Sequence, residues 1–239
     1  MANKPTRQEF IDKLRTLELT LDAQTRPFDV GEPHESRGVV HWEVDGFIRF
    51  HEADKGIWEA EPLGLNDLEH DEDGQLRRWI FWMKGMTIHL DVVDNAWDVL
   101  DARDIDSSHF TPLIDPDTGQ FVDELRDLDS DAYGASSLVI IDRAEVADGW
   151  RGNRGLGRTM IQKAIDLVAD PAGMSLVALE AHPYLEESGG RTASEEAVAA
   201  TERTWESMGF KRVGDSEVFI RGTSWISPYD DVDGQPSWR

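Results

Sequence analysis

Residues 137–168, S-L-V-I-I-D-R-A-E-V-A-D-G-W-R-G-N-R-G-L-G-R-T-M-I-Q-K-A-I-D-L-V, constrain this chain more than any other stretch. They open with an apolar run at 138–141 whose β-branched residues suit a buried strand. A loop follows that holds Gly149, Gly152, Gly155 and Gly157, with Arg151, Arg154 and Arg158 among them. Met160, Ala164, Leu167 and Val168 then recur at helical spacing and predict one apolar stripe. A strand, a glycine-arginine loop and a helix in this order present free backbone N–H groups and a positive helix end to an anion. Glycines let the backbone approach a phosphate closely, and arginines add charge. The loop lacks the G-K-[ST] ending of a triphosphate loop and the G-x-G-x-x-G spacing of a dinucleotide fold.

Composition narrows the classes further. The chain has 239 residues, enough for one large domain or two small ones, and nine tryptophans with nine phenylalanines fit a packed core. No cysteine is present, which excludes disulfides, thiolate metal sites and a cysteine nucleophile. The formal net charge is −24, from 48 acidic against 24 basic side chains. A field of that sign repels nucleic acid, and the acids are dispersed, as in a surface hydrated for high salt or under the bias of a high-GC genome. No apolar run approaches the length of a membrane span, and the first residues carry no apolar leader, so the expectation is a cytoplasmic protein. The seven histidines show no metal spacing, and no metal is expected.

In chain order, Thr6 caps a helix over residues 6–15, and Leu17, Leu19 and Leu21 alternate as a half-buried strand. Val40, Trp42 and Val44 mark the next strand, bent at Gly46 before residues 47–50. Residues 66–74 read as an acidic loop, and residues 78–84 and 86–93 as two strands about a turn or kink at Lys84-Gly85. Asn95 caps a short helix, and Pro112 and the P-D-T-G run at Pro116 mark turns. Residues 121–128 are ambiguous. Residues 175–180 form a second strand parallel to the first, linked by the helix as parallel strands require. Thr192 with Glu195 fits a capping box, Ser194 being the weaker cap, and the helix ends at Gly209. A hairpin over 211–213 and 217–221 closes the chain, and residues 226–239 read as a tail.

The loop resembles the acetyl-coenzyme A loop of the GNAT acetyltransferase superfamily, V-x-x-x-[YW]-R-G-x-G-[IL]-G-x-x-[LM]. Val146, Trp150, Arg151, Gly152, Gly155, Leu156, Gly157 and Met160 match it, with one extra residue, Asn153 or Arg154. Further on, W-E-S-M-G-F at residues 205–210 stands where the family carries Y-x-x-x-G-F, with tryptophan for tyrosine. The resemblance covers roughly residues 136–222. It implies an α+β fold: a single domain over residues 1–239 with a mixed, mainly antiparallel twisted sheet, a splayed parallel central strand pair and flanking helices. The motif-free residues 1–135 would supply the antiparallel half.

It also implies an N-acetyltransferase that moves acetyl from acetyl-coenzyme A to an amine, either a small molecule or a protein amine. The rival is a degenerate member that holds coenzyme A or a protein partner without catalysis. The cosubstrate would lie on Val146, Arg151, Gly152, Asn153, Arg154, Gly155, Leu156, Gly157, Arg158 and Thr159. Its pantetheine arm would pair with backbone near Ala144, Glu145 and Val146. A primary amine is neutral in only about one molecule in 10³ at pH 7, a cost of roughly 4–5 kcal/mol, so a base is needed. Glu145, Glu180 and His182 are the candidate bases. Trp205 cannot protonate a departing thiolate, and Tyr184, Tyr133 or water stands in for the family tyrosine. The sequence names no acceptor and leaves the oligomeric state open, a homodimer included.

Overall fold

The computed structural model describes residues 19–26, 38–50, 68–70, 74, 76–102, 105–147, 151, 155–169, 174–183 and 193–224. The helix expected over residues 6–15 and the tail lie outside them. Among the described residues the chain is α+β, built on one eight-stranded sheet. Its strands are β1 (Leu19–Arg26), β2 (Val39–Phe50), β3 (Leu68–His70), β4 (Leu76–His89), β5 (Ala135–Val146), β6 (Met174–Glu180), β7 (Lys211–Arg212) and β8 (Val218–Gly222). They run in the order β1-β2-β4-β5-β6-β8-β7, with β3 on the start of β4. Among the described residues only β5 and β6 pair in parallel; every other pair is antiparallel.

That parallel pair explains the apolar run at 138–141. Val139 and Ile141 face one core, and Leu138 and Ile140 face another on the opposite side of the sheet. A central strand buried on both faces reads as a continuous apolar run. The first core is covered by helix α4 (Leu156–Val168) and by Trp205, Met208 and Phe210 at the end of α5 (Glu195–Glu206). The second lies under the chain between β4 and β5. There α1 (Ala96–Asp101), α2 (Ile105–Ser108), α3 (Glu124–Leu128) and two single 3₁₀ turns bring Leu100, Phe110, Leu113 and Leu125 onto the sheet. Asn95 caps α1 as expected, its side chain accepting from Trp97 N–H. Pro112 opens a 3₁₀ turn, and the ambiguous residues 121–128 resolve into a β-bridge at Phe121 and α3.

Several local expectations are corrected. The two strands predicted about Gly85 are one, β4, which does not turn there; the register shift at Lys84/Gly85 comes from an extra residue on β5. Gly85 serves packing: a Cβ on it would stand 2.0 Å from the Ile140 carbonyl oxygen and 2.6 Å from the Trp42 indole. The acidic stretch at 66–74 contains β3. In α4 the buried face is Leu156, Met160, Ile161, Ala164 and Ile165, and Leu167 is 52% exposed. By angle Leu167 falls within that face, but it lies in the last turn of α4, while Ile161 and Ile165 extend the face on its other side. Ser194, not Thr192, caps α5, accepting from Ala197 N–H.

One buried cation ties the layers. Arg221 on β8 has no exposed surface, donates to Gln162 Oε1 on α4 and to the Met208 carbonyl (both 2.9 Å), and stacks on Phe210. Burial pulls its pKa down to about 10, while Asp166 and Asp129 act to raise it, so it stays charged at neutral pH.

The phase of α4 is directly testable. Ile165→Ala should cost about 2–5 kcal/mol in chemical denaturation, and Leu167→Ala within about 0.5 kcal/mol of nothing. Equal costs would mean that α4 packs on the predicted stripe.

Candidate functional site

The parallel ladder between β5 and β6 stops at Ile141 and Leu179. Past it, β6 runs one residue further along β8, to Glu180. The other strand, β5, stays with β4 as far as Val146. Between the pairs Gly85–Ile141 and Lys84–Arg143, β5 carries one extra residue, Asp142. A bulge of this kind bends its strand and sharpens the local twist. The two strands therefore part at Asp142, and the far half of β5 has an edge no longer paired with β6.

The register shows which backbone groups that edge presents. Ala147 N–H donates to the Ile80 carbonyl on β4. Antiparallel residues alternate in direction, so the N–H and C=O of Val146 and Ala144 point away from β4, into the opening. Arg151 reaches back across it: its Nε donates to the Val146 carbonyl at 2.8 Å.

Helix α4 begins beside this opening. Gly155 is its N-cap, at φ +88°, with nothing within 4 Å of where a Cβ would stand. The left-handed turn, not lack of room, is what asks for glycine. Gly157 is different: its Cβ would stand 3.0 Å from the Val146 side chain, so the first turn of α4 rests on the end of β5. The first hydrogen bond of the helix runs from Thr159 N–H to the Gly155 carbonyl. The N–H groups of Leu156, Gly157 and Arg158 thus have no acceptor inside the helix. No acid stands in this first turn, and Arg158 does, although the helix dipole favours acids there. In α5 the usual choice is made, with Glu195 and Glu196. An arginine at a helix N-terminus, in a chain of net charge −24, suits a bound anion better than it suits the helix.

The acid–base candidates separate clearly. Glu145 stands between two guanidiniums, Arg143 at 2.9 Å and Arg151 at 3.5 Å, one on each carboxylate oxygen. Arg143 and Lys84 also flank the Trp82 ring. Glu145 is placed to hold Arg151, and to act as a base it would first have to give up these partners. Glu180, last in β6, faces the same side of the sheet as Leu176 and Ala178. There its Oε1 meets Nδ1 of His109 at 2.5 Å. His182 Nε2 pairs with Glu217 Oε2 at 2.6 Å, on the β8 side of β6.

Of the expected cosubstrate residues, Val146, Arg151, Gly155, Leu156, Gly157, Arg158 and Thr159 converge on the opening and the start of α4. The Leu156 side chain turns into the core, so only its backbone is available there. Trp150, Gly152, Asn153, Arg154 and Tyr184 lie outside the described residues. Tyr133 is corrected: it is exposed beside Arg126 and precedes the first residue of β5. That leaves it on the order of 20 Å of strand from the opening. Trp205 packs edge-on against Phe210, ring centroids 5.2 Å apart, in the core. His109 and Glu217 escaped sequence reasoning altogether. His109 lies 71 residues from its partner, and no spacing rule joins them.

Compared with protein-family models, with curated proteins and with solved structures, the chain matches none. Among the described residues, no group of three or more His, Cys, Asp or Glu could hold a metal ion, and no helix is long and apolar enough to cross a membrane.

The left-handed cap makes a graded series. Gly155→Val should lower stability by about 1–2 kcal/mol, and Gly155→Asn by less, since asparagine visits this conformation. Equal losses in chemical denaturation would show that φ at residue 155 is not held positive.

Proposed function

We propose that this chain is an acyltransferase of the GNAT kind, moving an acetyl group from acetyl-coenzyme A to an amine. The observation that carries the reading is the parting of β5 from β6 beside an α-helix N-terminus entered through a left-handed glycine. An extended arm with amide groups can pair with the freed edge of β5 at Ala144 and Val146. The phosphates at its end can take the N–H groups of Leu156, Gly157 and Arg158. Arg151 and Arg158 supply charge that a diphosphate needs in so acidic a chain. Coenzyme A has that shape: a phosphate-rich end, an amide-bearing arm and a thioester at its tip. The order of elements from β5 to β8 also follows the pattern that the loop resemblance implied.

In this reading the thioester lies near Asp142, where the strands part. The acceptor amine approaches over the face that carries Glu180, Arg143 and Trp82. Whether that amine belongs to a small molecule or a protein is set by the acceptor side, to which the loop motif does not speak. The buried Trp205 gives the non-catalytic alternative its one support, since the family's tyrosine hydroxyl has no counterpart there. The departing thiolate can instead take a proton from the attacking nitrogen itself, so the missing hydroxyl does not stop the chemistry.

A thermal-shift series tests the proposal. Acetyl-coenzyme A a hundredfold above its Kd stabilises the folded state by about 2.7 kcal/mol. In a chain of this size that should raise Tm by about 5–10 °C. Coenzyme A should act similarly, pantetheine more weakly, and ATP and NAD not at all. A shift with ATP or NAD and none with either coenzyme would overturn the assignment.

A further inference from the structure

Resting on that reading, we infer that His109 is the residue that takes the proton from the acceptor amine, and that Glu180 is the residue that positions it. The pair forms across the whole fold. Glu180 ends β6, one residue beyond Leu179, the last partner of β5, so its side chain stands at the shoulder of the opening. His109 follows α2 in the segment that packs Phe110 and Leu113 onto the same face of the sheet. The two side chains meet at 2.5 Å through Nδ1 and Oε1.

This contact fixes the chemistry of the ring. A carboxylate accepts, so Nδ1 carries the hydrogen and Nε2 presents its lone pair outward. Among the described residues His109 makes no other hydrogen bond, and its side chain is 47% exposed, open to a substrate. Glu180 is 26% exposed, so water screens its hold on the ring only in part.

The other candidates are less well placed. Glu145 has both oxygens on arginines. His182 is held by Glu217, which is 62% exposed and lies across β6 from the opening. An imidazole oriented by a carboxylate is a recurrent solution to proton abstraction near neutral pH.

The step balances without a further reactant. Nε2 of His109 takes one proton from the substrate ammonium, and Glu180 stabilises the imidazolium. The freed nitrogen lone pair attacks the thioester carbonyl; the C–N bond forms and the C–S bond breaks. The thiolate leaves with the second nitrogen proton, and His109 returns its own to water.

Two minimal nucleophiles isolate this role. Methylamine is protonated at neutral pH and needs a base, whereas hydroxylamine is already uncharged. With acetyl-coenzyme A in the full chain, His109→Gln should lower methylamine-dependent coenzyme release by about 10²–10⁴, with a loss at least tenfold smaller for hydroxylamine. Glu180→Gln should move the same ratio in the same direction, and Glu180→Asp should recover part of it. In nitrogen NMR above neutral pH, the His109 ring of the parent should be the Nδ1–H tautomer. Equal losses with both nucleophiles, an unchanged ratio, no methylamine-dependent release by the parent, or an Nε2–H ring would each overturn the assignment to His109. Calorimetric titration separates the two levels. If acetyl-coenzyme A binds parent and His109→Gln alike, only the base assignment is at stake. If it does not bind the parent, the acyltransferase reading falls first.

Discussion

One extra residue in one strand, Asp142, governs the architecture around the site. Up to Ile141, β5 is a fully committed central strand, paired on both edges and buried on both faces. Such a strand has no backbone to spare for a ligand. The bulge ends that commitment abruptly. β4 keeps its partner, β6 turns to β8 alone, and two inward-pointing amides of β5 lose their ladder. The sheet is thus rigid on one side of Asp142 and open on the other. The two-sided core supplies the rigidity, and the opening inherits it.

Helix α4 is fitted to this frame by close contacts. A Cβ at Gly46 would stand 2.3 Å from the Met160 methyl, so α4 lies almost on the backbone of β2. Gly157 brings its first turn against Val146, and Arg221 grips Gln162 in its middle. These contacts fix where the N-terminus of α4 points. The choice of Arg158 over an acid in the first turn gives up a few tenths of a kcal/mol of helix stability, on the order expected for a dipole interaction. Arg151, held to the Val146 carbonyl and to Glu145, adds a second guanidinium at the same place. Two cations beside a row of N–H groups make a local positive site in a strongly acidic chain.

Much of this was legible in the sequence, and the exceptions have physical causes. The run at 138–141 and the helix after it were clear, because burial on two faces and a helical repeat both leave strong patterns. The glycine-rich loop before the helix was also clear, but which glycine takes the left-handed turn was not. The bulge was not: a single aspartate followed by arginine looks like any strand end, and only the pairing with β4 reveals the extra residue. Gly85 misled for a related reason. Glycine marks turns, but here it makes room for Trp42 and a carbonyl, a requirement set by neighbours distant in sequence. Glu180 was picked as a strand-end carboxylate, and its partner His109 was not. The H-F-T-P stretch marks a turn at His109, yet nothing in it says which strand end the turn will meet.

The account turns on the freed edge of β5, and amide hydrogen exchange reads that edge residue by residue. With saturating acetyl-coenzyme A, the amides of Ala144 and Val146 should exchange more slowly, together with those of Gly157 and Arg158 at the start of α4. The amides of Leu138 and Ile140, already within the ladder, should not change. Binding that leaves Ala144 and Val146 exchanging as in the free chain would contradict the account, because the ligand would then lie somewhere other than the parting of β5 from β6.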